Sequence, residues 1–161
     1  MKKLKLTTEY TLFDNYSELD VQSQELMNIA IEARKKAYAP YSKFSVGAAL
    51  ILDNEEIIIG NNQENAAYPS GLCAERVAIY FAGAKYPDNH ILKMAISASS
   101  SIKKTDSPVA PCGACRQAIA EYEMKQNKAI EIYFMGDSGK IIKVNSLKAL
   151  LPLGFDKSFL K

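Results

Sequence analysis

Between Leu26 and Ala37 the apolar positions Leu26, Ile29, Ala30, Ala33 and Ala37 recur at intervals of three and four, the period of a helix with one buried face. The spacing predicts an amphipathic helix that begins near Ser17, ends before Pro40 and covers one face of a sheet. Residues 45–52 and 56–59 then read as two strands joined by the turn Asp53-Asn54-Glu55, a hairpin. A helix from Leu72 to about Ala84, a buried strand over 92–98 and a helix from Cys112 to about Met124 follow. Strands over 130–135 and 140–144 flank Gly136-Asp137-Ser138-Gly139, and Ser146 is placed to cap a last short helix. The order αββαβαββα predicts an α/β fold, a mixed five-stranded sheet with helices on both faces.

Residues 1–16 stand apart from this pattern. Lysine and leucine alternate weakly at first, then Thr7, Thr8, Tyr10 and Thr11 favour an extended strand at a sheet edge or a subunit contact. The division expected is an N-terminal extension over 1–16 and one catalytic domain over 17–161. No repeat, low-complexity tract or long linker interrupts it.

At 161 residues, with 48% hydrophobic and 24% charged residues, the chain is long enough for a real core and has no compositional sign of disorder. A net charge of +2 is too mild for a nucleic-acid footprint, so no nucleic-acid partner is expected. The apolar runs, such as Ile57 to Ile59, are too short to span a membrane, and the polar N-terminus lacks an apolar secretory core. These features give the expectation of a cytoplasmic protein with reduced thiols.

The chain has three cysteines, placed as Cys73-Ala74-Glu75 and Pro111-Cys112-Gly113-Ala114-Cys115. Three thiols read as a zinc site with its fourth position open, the arrangement of catalytic rather than structural zinc. Cys112-x-x-Cys115 alone would equally suit a redox pair, and Cys73 alone an inert core residue. A redox motif, however, has no use for a Cys-x-Glu elsewhere. Pro111 suits the opening of a helix on which Cys112 and Cys115 share a face. If the helices starting near Gly71 and Pro111 lie side by side at one end of the sheet, their N-termini gather the three sulfurs, and their positive ends favour thiolate.

Glu75 is a poor ligand from the same helical turn as Cys73, but it can move the proton of a water in the open position. Three thiolates leave Zn²⁺ with a net charge near −1, which weakens it as a Lewis acid. Arg76 and Arg116 each follow a site residue directly and could donate to sulfur; Arg76, in the first turn beside the ligands, is the favoured tuning residue. The alternative is a closed Cys3His site in a zinc-stapled interaction module. It would need His90, which lies in the turn-like stretch Tyr86-Pro87-Asp88-Asn89-His90 and reads more simply as a solvated loop residue.

A Cys-x-Glu followed by Pro-Cys-x-x-Cys is the signature of zinc deaminases of nucleobases. The segments 38–44 (YAPYSKF), 62–68 (NQENAAY), 73–76 (CAER) and 111–117 (PCGACRQ) resemble those of the small homotetrameric cytidine deaminases, in order and at similar spacing from about Leu26 to Phe155. The resemblance implies a three-layer α/β/α sandwich and a homotetramer whose active sites borrow residues from neighbours. It implies one Zn²⁺ per subunit on Cys73, Cys112 and Cys115, Glu75 as proton carrier, Asn62 and Glu64 on the ribose, Phe44 stacked on the pyrimidine and Ala74 against the substrate. It also implies that Ala66, Tyr68 and Phe155 close a neighbouring subunit's pocket. The activity implied is hydrolysis of cytidine and 2′-deoxycytidine to uridine and 2′-deoxyuridine with release of ammonia, as in pyrimidine salvage. Three further alternatives remain open. A deaminase of a larger cytosine-bearing nucleoside, of the blasticidin type, would share the cysteines and Glu75. Phe44 could be plain core, and Phe155 could plug its own chain.

Overall fold

The computed structural model describes residues 1–160. A single mixed sheet of six strands carries the fold: β1 (Thr11–Phe13), β2 (Phe44–Leu52), β3 (Ile57–Asn61), β4 (Ile91–Ser100), β5 (Glu131–Met135) and β6 (Ile141–Val144). The strands lie in the order β1-β6-β5-β4-β2-β3. Neighbours are antiparallel except β4 and β5, which run parallel and therefore need a crossover. Helix α3 (Gly113–Gln126) supplies it; α1 (Val21–Arg34) and α2 (Ala74–Lys85) are the other two helices.

The period-two alternation of strand side chains sorts them into two cores. Ala48, Leu50, Leu52, Met94, Ile96, Ile132 and Phe134 pack with Ala78, Ile79 and Ile119 of α2 and α3. Ala49, Ile51, Ala95, Tyr133 and Met135 face the other way and pack with Leu26, Met27 and Ala30 of α1. Sheet between α1 on one side and α2 with α3 on the other is the three-layer α/β/α sandwich. Strand β2, between β4 and β3, reads as an apolar run from Val46 to Leu52 because both of its faces are buried there.

Five strands were expected and six are present. The sixth is β1, which pairs antiparallel with β6 through Thr11–Lys143, Leu12–Ile142 and Phe13–Ile141. Without it β6 would leave a row of unpaired backbone groups at the sheet edge. The stretch of Thr7 to Thr11, expected to be extended, contributes only Thr11 to that strand, though Thr8 Oγ1 donates to the Ala149 carbonyl at 2.9 Å.

Helix starts also differ from expectation, each for a capping reason. Asp20 accepts from the Ser23 backbone N–H and hydroxyl at 2.9 and 2.7 Å and so opens α1 at Val21, while Tyr16–Glu18 forms a separate 3₁₀ turn capped by Asn15. α2 begins at Ala74 rather than Leu72, because Leu72 exchanges both backbone hydrogen bonds with Gln63. Ser146 does cap a short turn, Leu147–Ala149, by accepting from Lys148 N–H. Glu123, 8% exposed, fixes α3 to that turn and to β5, accepting from Ile130 N–H, Leu147 N–H and the Ser146 hydroxyl at 2.8, 2.8 and 2.9 Å.

Close approach places α2. Gly60 in β3 lies against the first turns of α2, where a Cβ would overlap the Ala74 carbonyl oxygen and come within 2.7 Å of Ala78 N.

Candidate metal centre

Two helix N-termini meet at one place. Cys73 is the N-cap residue of α2, Cys112 is the N-cap residue of α3, and Cys115 lies in the first turn of α3. Neither capping cysteine accepts a backbone N–H of its helix through sulfur, which leaves both sulfurs free to approach each other. Cys73 Sγ is 3.8 Å from Cys112 Sγ, Cys112 Sγ is 3.4 Å from Cys115 Sγ, and all three lie within 4.8 Å of one another. Zinc–sulfur bonds of about 2.3 Å in a tetrahedron set sulfurs about 3.8 Å apart, close to the spacing of the three thiols.

The sulfurs also polarise one another. Hydrogen bonding from Cys115, helped by Arg76 and Cys112, pulls the Cys73 thiol down to about 5 against burial. The same hydrogen bond to Cys73, together with burial, pushes Cys115 up. A divalent cation would reverse the second effect, since it favours every ligand as thiolate.

Glu75 follows in the first turn of α2 and is 4% exposed. Burial, and after it the negative Cys73, raises its carboxyl above the ordinary carboxylate value. A buried carboxyl beside the sulfurs with an elevated pKa is suited to taking and returning a proton. Arg76 Nη2 lies 3.8 Å from Cys73 Sγ. Arg116 turns elsewhere: its Nε donates to the Pro111 carbonyl at 2.8 Å and its Nη1 to the Leu150 carbonyl at 2.9 Å.

His90 is excluded as a ligand. Its Nδ1 is 2.8 Å from Asp53 Oδ2, beyond the C-terminal end of α2, and a helix of 12 residues separates that end from Cys73 by about 18 Å. It is the only histidine of the chain, so a closed Cys3His site is ruled out.

Beside the sulfurs opens a cavity of about 440 Å³ lined by Tyr41, Asn62, Glu64, Tyr68, Cys73 and Arg76 among others. Asn62 spends one end on Val46 N–H at 2.7 Å and the other on the Phe44 carbonyl at 2.9 Å, which leaves its amide one lone pair and one N–H free. Glu64 Oε2 accepts from Tyr41 and Ser42 N–H at 2.8 and 3.3 Å, so the loop before β2 and the loop after β3 are stitched at this carboxylate, whose pKa is lowered first by its Ser42 hydrogen bond. Tyr41 and Tyr68 rings lie 5.9 Å apart across the mouth.

Not every residue named from sequence gathers here. Phe44 starts β2 opposite Ser100, half-buried and outside the cavity lining, and Ala74 is fully buried behind it. Ala66 is exposed in the turn before Tyr68, which is itself 74% exposed. Phe155 lies in a second groove with Leu6 and Met124, its ring stacked on Phe159 at 5.7 Å and its carbonyl accepting from Gln117 Nε2 at 2.9 Å. Three contributors escaped the sequence reading: Tyr41 and Ser42, whose backbone N–H groups hold Glu64, and Leu72, whose bridge to Gln63 closes the loop below the cavity. The stretch 38–44 was conspicuous as a motif, but nothing in it shows that main-chain groups do the work.

Thiols focused on an open corner beside a buried carboxyl, on an α/β/α sandwich, define a zinc-site protein of catalytic type. Residues 20–130 match the family described as the cytidine and deoxycytidylate deaminase zinc-binding region, and the chain belongs to that family. It is 39% identical over 134 residues to a cytidine deaminase of Sporosarcina psychrophila, covering 83% of this chain and 91% of the relative. It is 40% identical over 132 residues to one of Halalkalibacterium halodurans, covering 82% and 92%. Its backbone superposes on a crystal structure of cytidine deaminase from Burkholderia pseudomallei with a TM-score of 0.70 at 37% identity, covering 81% of this chain and 97% of that one.

Proposed function

We propose that this chain is a zinc-dependent hydrolase that converts cytidine and 2′-deoxycytidine to uridine and 2′-deoxyuridine with release of ammonia. The observation that carries this reading is the packing of Cys73, Cys112 and Cys115 sulfurs within 4.8 Å beside the buried Glu75. Zinc bound by the three thiolates supplies a Lewis acid that eases ionisation of the attacking water.

The chain's own groups do the rest. Glu75 takes a proton from that water and delivers it to ring N3, which draws electrons from C4 as the water oxygen adds there. A second proton, from the hydroxyl now on C4, passes through Glu75 to the exocyclic nitrogen; the C4–N bond breaks, the C4 carbonyl forms, and ammonia departs. Contacts that mature only as C4 becomes tetrahedral favour the transition state over cytidine. The free Oε1 of Glu64 and the free half of the Asn62 amide suit a sugar hydroxyl, which is donor and acceptor at once. An unpaired buried site would reject a free base. Phe44 is assigned to the pyrimidine face and Ala74 to the substrate's edge of α2.

The charged side chains lining the cavity, among the described residues, are Glu64 and Arg76, and Arg76 is turned to Cys73. With no other cation in the lining, a 5′-phosphate would meet a carboxylate without compensation. That favours the nucleoside over deoxycytidylate.

The assembly proposed is a homotetramer in which Ala66, Tyr68 and Phe155 complete a neighbour's pocket. Tyr68, Leu153 and Phe155 are 74%, 88% and 55% exposed, an apolar investment that association would bury. A cytoplasmic location suits three reduced thiols, and no described helix is long and apolar enough to cross a membrane. No nucleic-acid partner is assigned. Ammonia release from cytidine, 2′-deoxycytidine and their 5′-monophosphates, on metal-analysed protein sized in solution, tests the reading. Turnover confined to the monophosphates, or none on any of the four, would overturn it.

A further inference from the structure

Cys112 is held in place from outside its own segment. Residues 106–111 contain no helix or strand, and among the described residues no backbone–backbone hydrogen bond reaches them. One hydrogen bond to their backbone is present: Arg116 Nε donates to the Pro111 carbonyl at 2.8 Å. Pro111 has no N–H of its own to offer. The next carbonyl, that of Cys112, accepts from the Arg116 backbone N–H at 2.9 Å. One residue therefore grips the carbonyl on each side of the Cys112 Cα.

Arg116 is itself anchored. Its Nη1 donates to the Leu150 carbonyl at 2.9 Å, and Gln117 beside it donates to the Phe155 carbonyl at 2.9 Å. The first turn of α3 thus fastens the metal loop with one hand and the C-terminal segment with the other. A planar guanidinium can satisfy both carbonyls at fixed geometry, which a single ammonium cannot.

We propose that Arg116 is a positioning residue that fixes Cys112 through the Pro111 carbonyl, and that retention of zinc depends through it on the C-terminal segment. The inference rests on the zinc reading above. It assigns Arg116 no contact with substrate or sulfur.

The test is the rate at which the holoprotein gives up zinc to a chromophoric chelator, with thermal melting recorded in parallel. Wild type is first analysed for metal: absence of zinc would overturn the zinc reading and this inference together, whereas bound zinc leaves the inference to stand or fall alone. Arg116→Met should release zinc about 10–100-fold faster, the range found when groups supporting metal ligands are removed. Arg116→Lys should lie between the two, and its rate decides the matter if the methionine variant does not fold. Gln117→Ala in the full-length chain, which frees the Phe155 carbonyl and loosens the segment that carries Leu150, should also release zinc faster, and combining it with Arg116→Met should add little, as expected for groups acting through one network. Release indistinguishable from wild type in the folded arginine variants, or independent multiplication of the two effects, overturns the proposal.

Discussion

Arg76 Nη2 and Cys73 Sγ face each other at 3.8 Å within the first turn of α2. The guanidinium comes from the residue that follows the buried Glu75, so one turn of helix supplies a ligand, a proton carrier and a positive charge. Arg76 Nε is buried without a hydrogen-bond partner, while Nη2 carries the contact to sulfur.

Replacing that charge isolates its effect. Arg76→Gln should keep zinc, by metal analysis, while the deamination rate falls about 10–100-fold, since the sulfurs lose the donor that draws off their charge. Zinc loss in step with rate would instead assign Arg76 to metal retention.

The other carboxylate at the site, Glu64, is committed to the Tyr41 and Ser42 N–H groups. Glu75→Ala should bind zinc at wild-type stoichiometry and lose about 10²–10⁴-fold in kcat, the usual worth of a positioned general acid–base. Steady-state kinetics on metal-analysed protein would show near-normal turnover if some other group carried the proton.

The seat of α2 on the sheet predicts a sensitivity far from the chemistry. Gly60→Ala would drive a methyl into the Ala74 carbonyl, displacing the turn that carries Cys73. Overpacking of this kind costs about 1–3 kcal/mol. A lowered Tm with faster zinc release is expected, and an unchanged Tm would show that β3 can withdraw from the helix.

His90 should be dispensable for metal. His90→Ala is expected to retain one zinc per chain and wild-type turnover, because the ring pairs with Asp53 at the opposite end of α2. Asn89 first and His90 second hold Asp53 down to about 2 from 3.8. A depressed folded-state value means that the stability it contributes is present above 3.8 and fades as pH falls toward about 2. Asp53→Asn should therefore melt lower than wild type at neutral pH, the two Tm values converging in acid. A gap that persists in acid would assign the difference to something other than this carboxylate.

How far the sequence alone leads differs from residue to residue. Cys73, Glu75, Cys112 and Cys115 are legible because their chemistry is scarce in the chain and local spacing places each at a helix start. The two-faced sheet is legible in the unbroken apolar run of β2 and the helical period around Leu26. Arg116 illustrates the limit: its neighbour in sequence is a ligand, yet its partners are Pro111 and Leu150, and only tertiary structure brings that last carbonyl near. The sixth strand is Thr11–Phe13, shorter than the extended stretch expected from Thr7, since it pairs only with Ile141, Ile142 and Lys143 of β6. Leu72 looked helical by composition, but its backbone was already committed to Gln63.

The central claim is a zinc ion held by three sulfurs and required for hydrolysis. Following zinc content and ammonia release from cytidine together, through chelation and then stoichiometric zinc return, tests it most directly. Both quantities should fall in parallel and recover in parallel. Ammonia release that continues undiminished from protein stripped of zinc would contradict it.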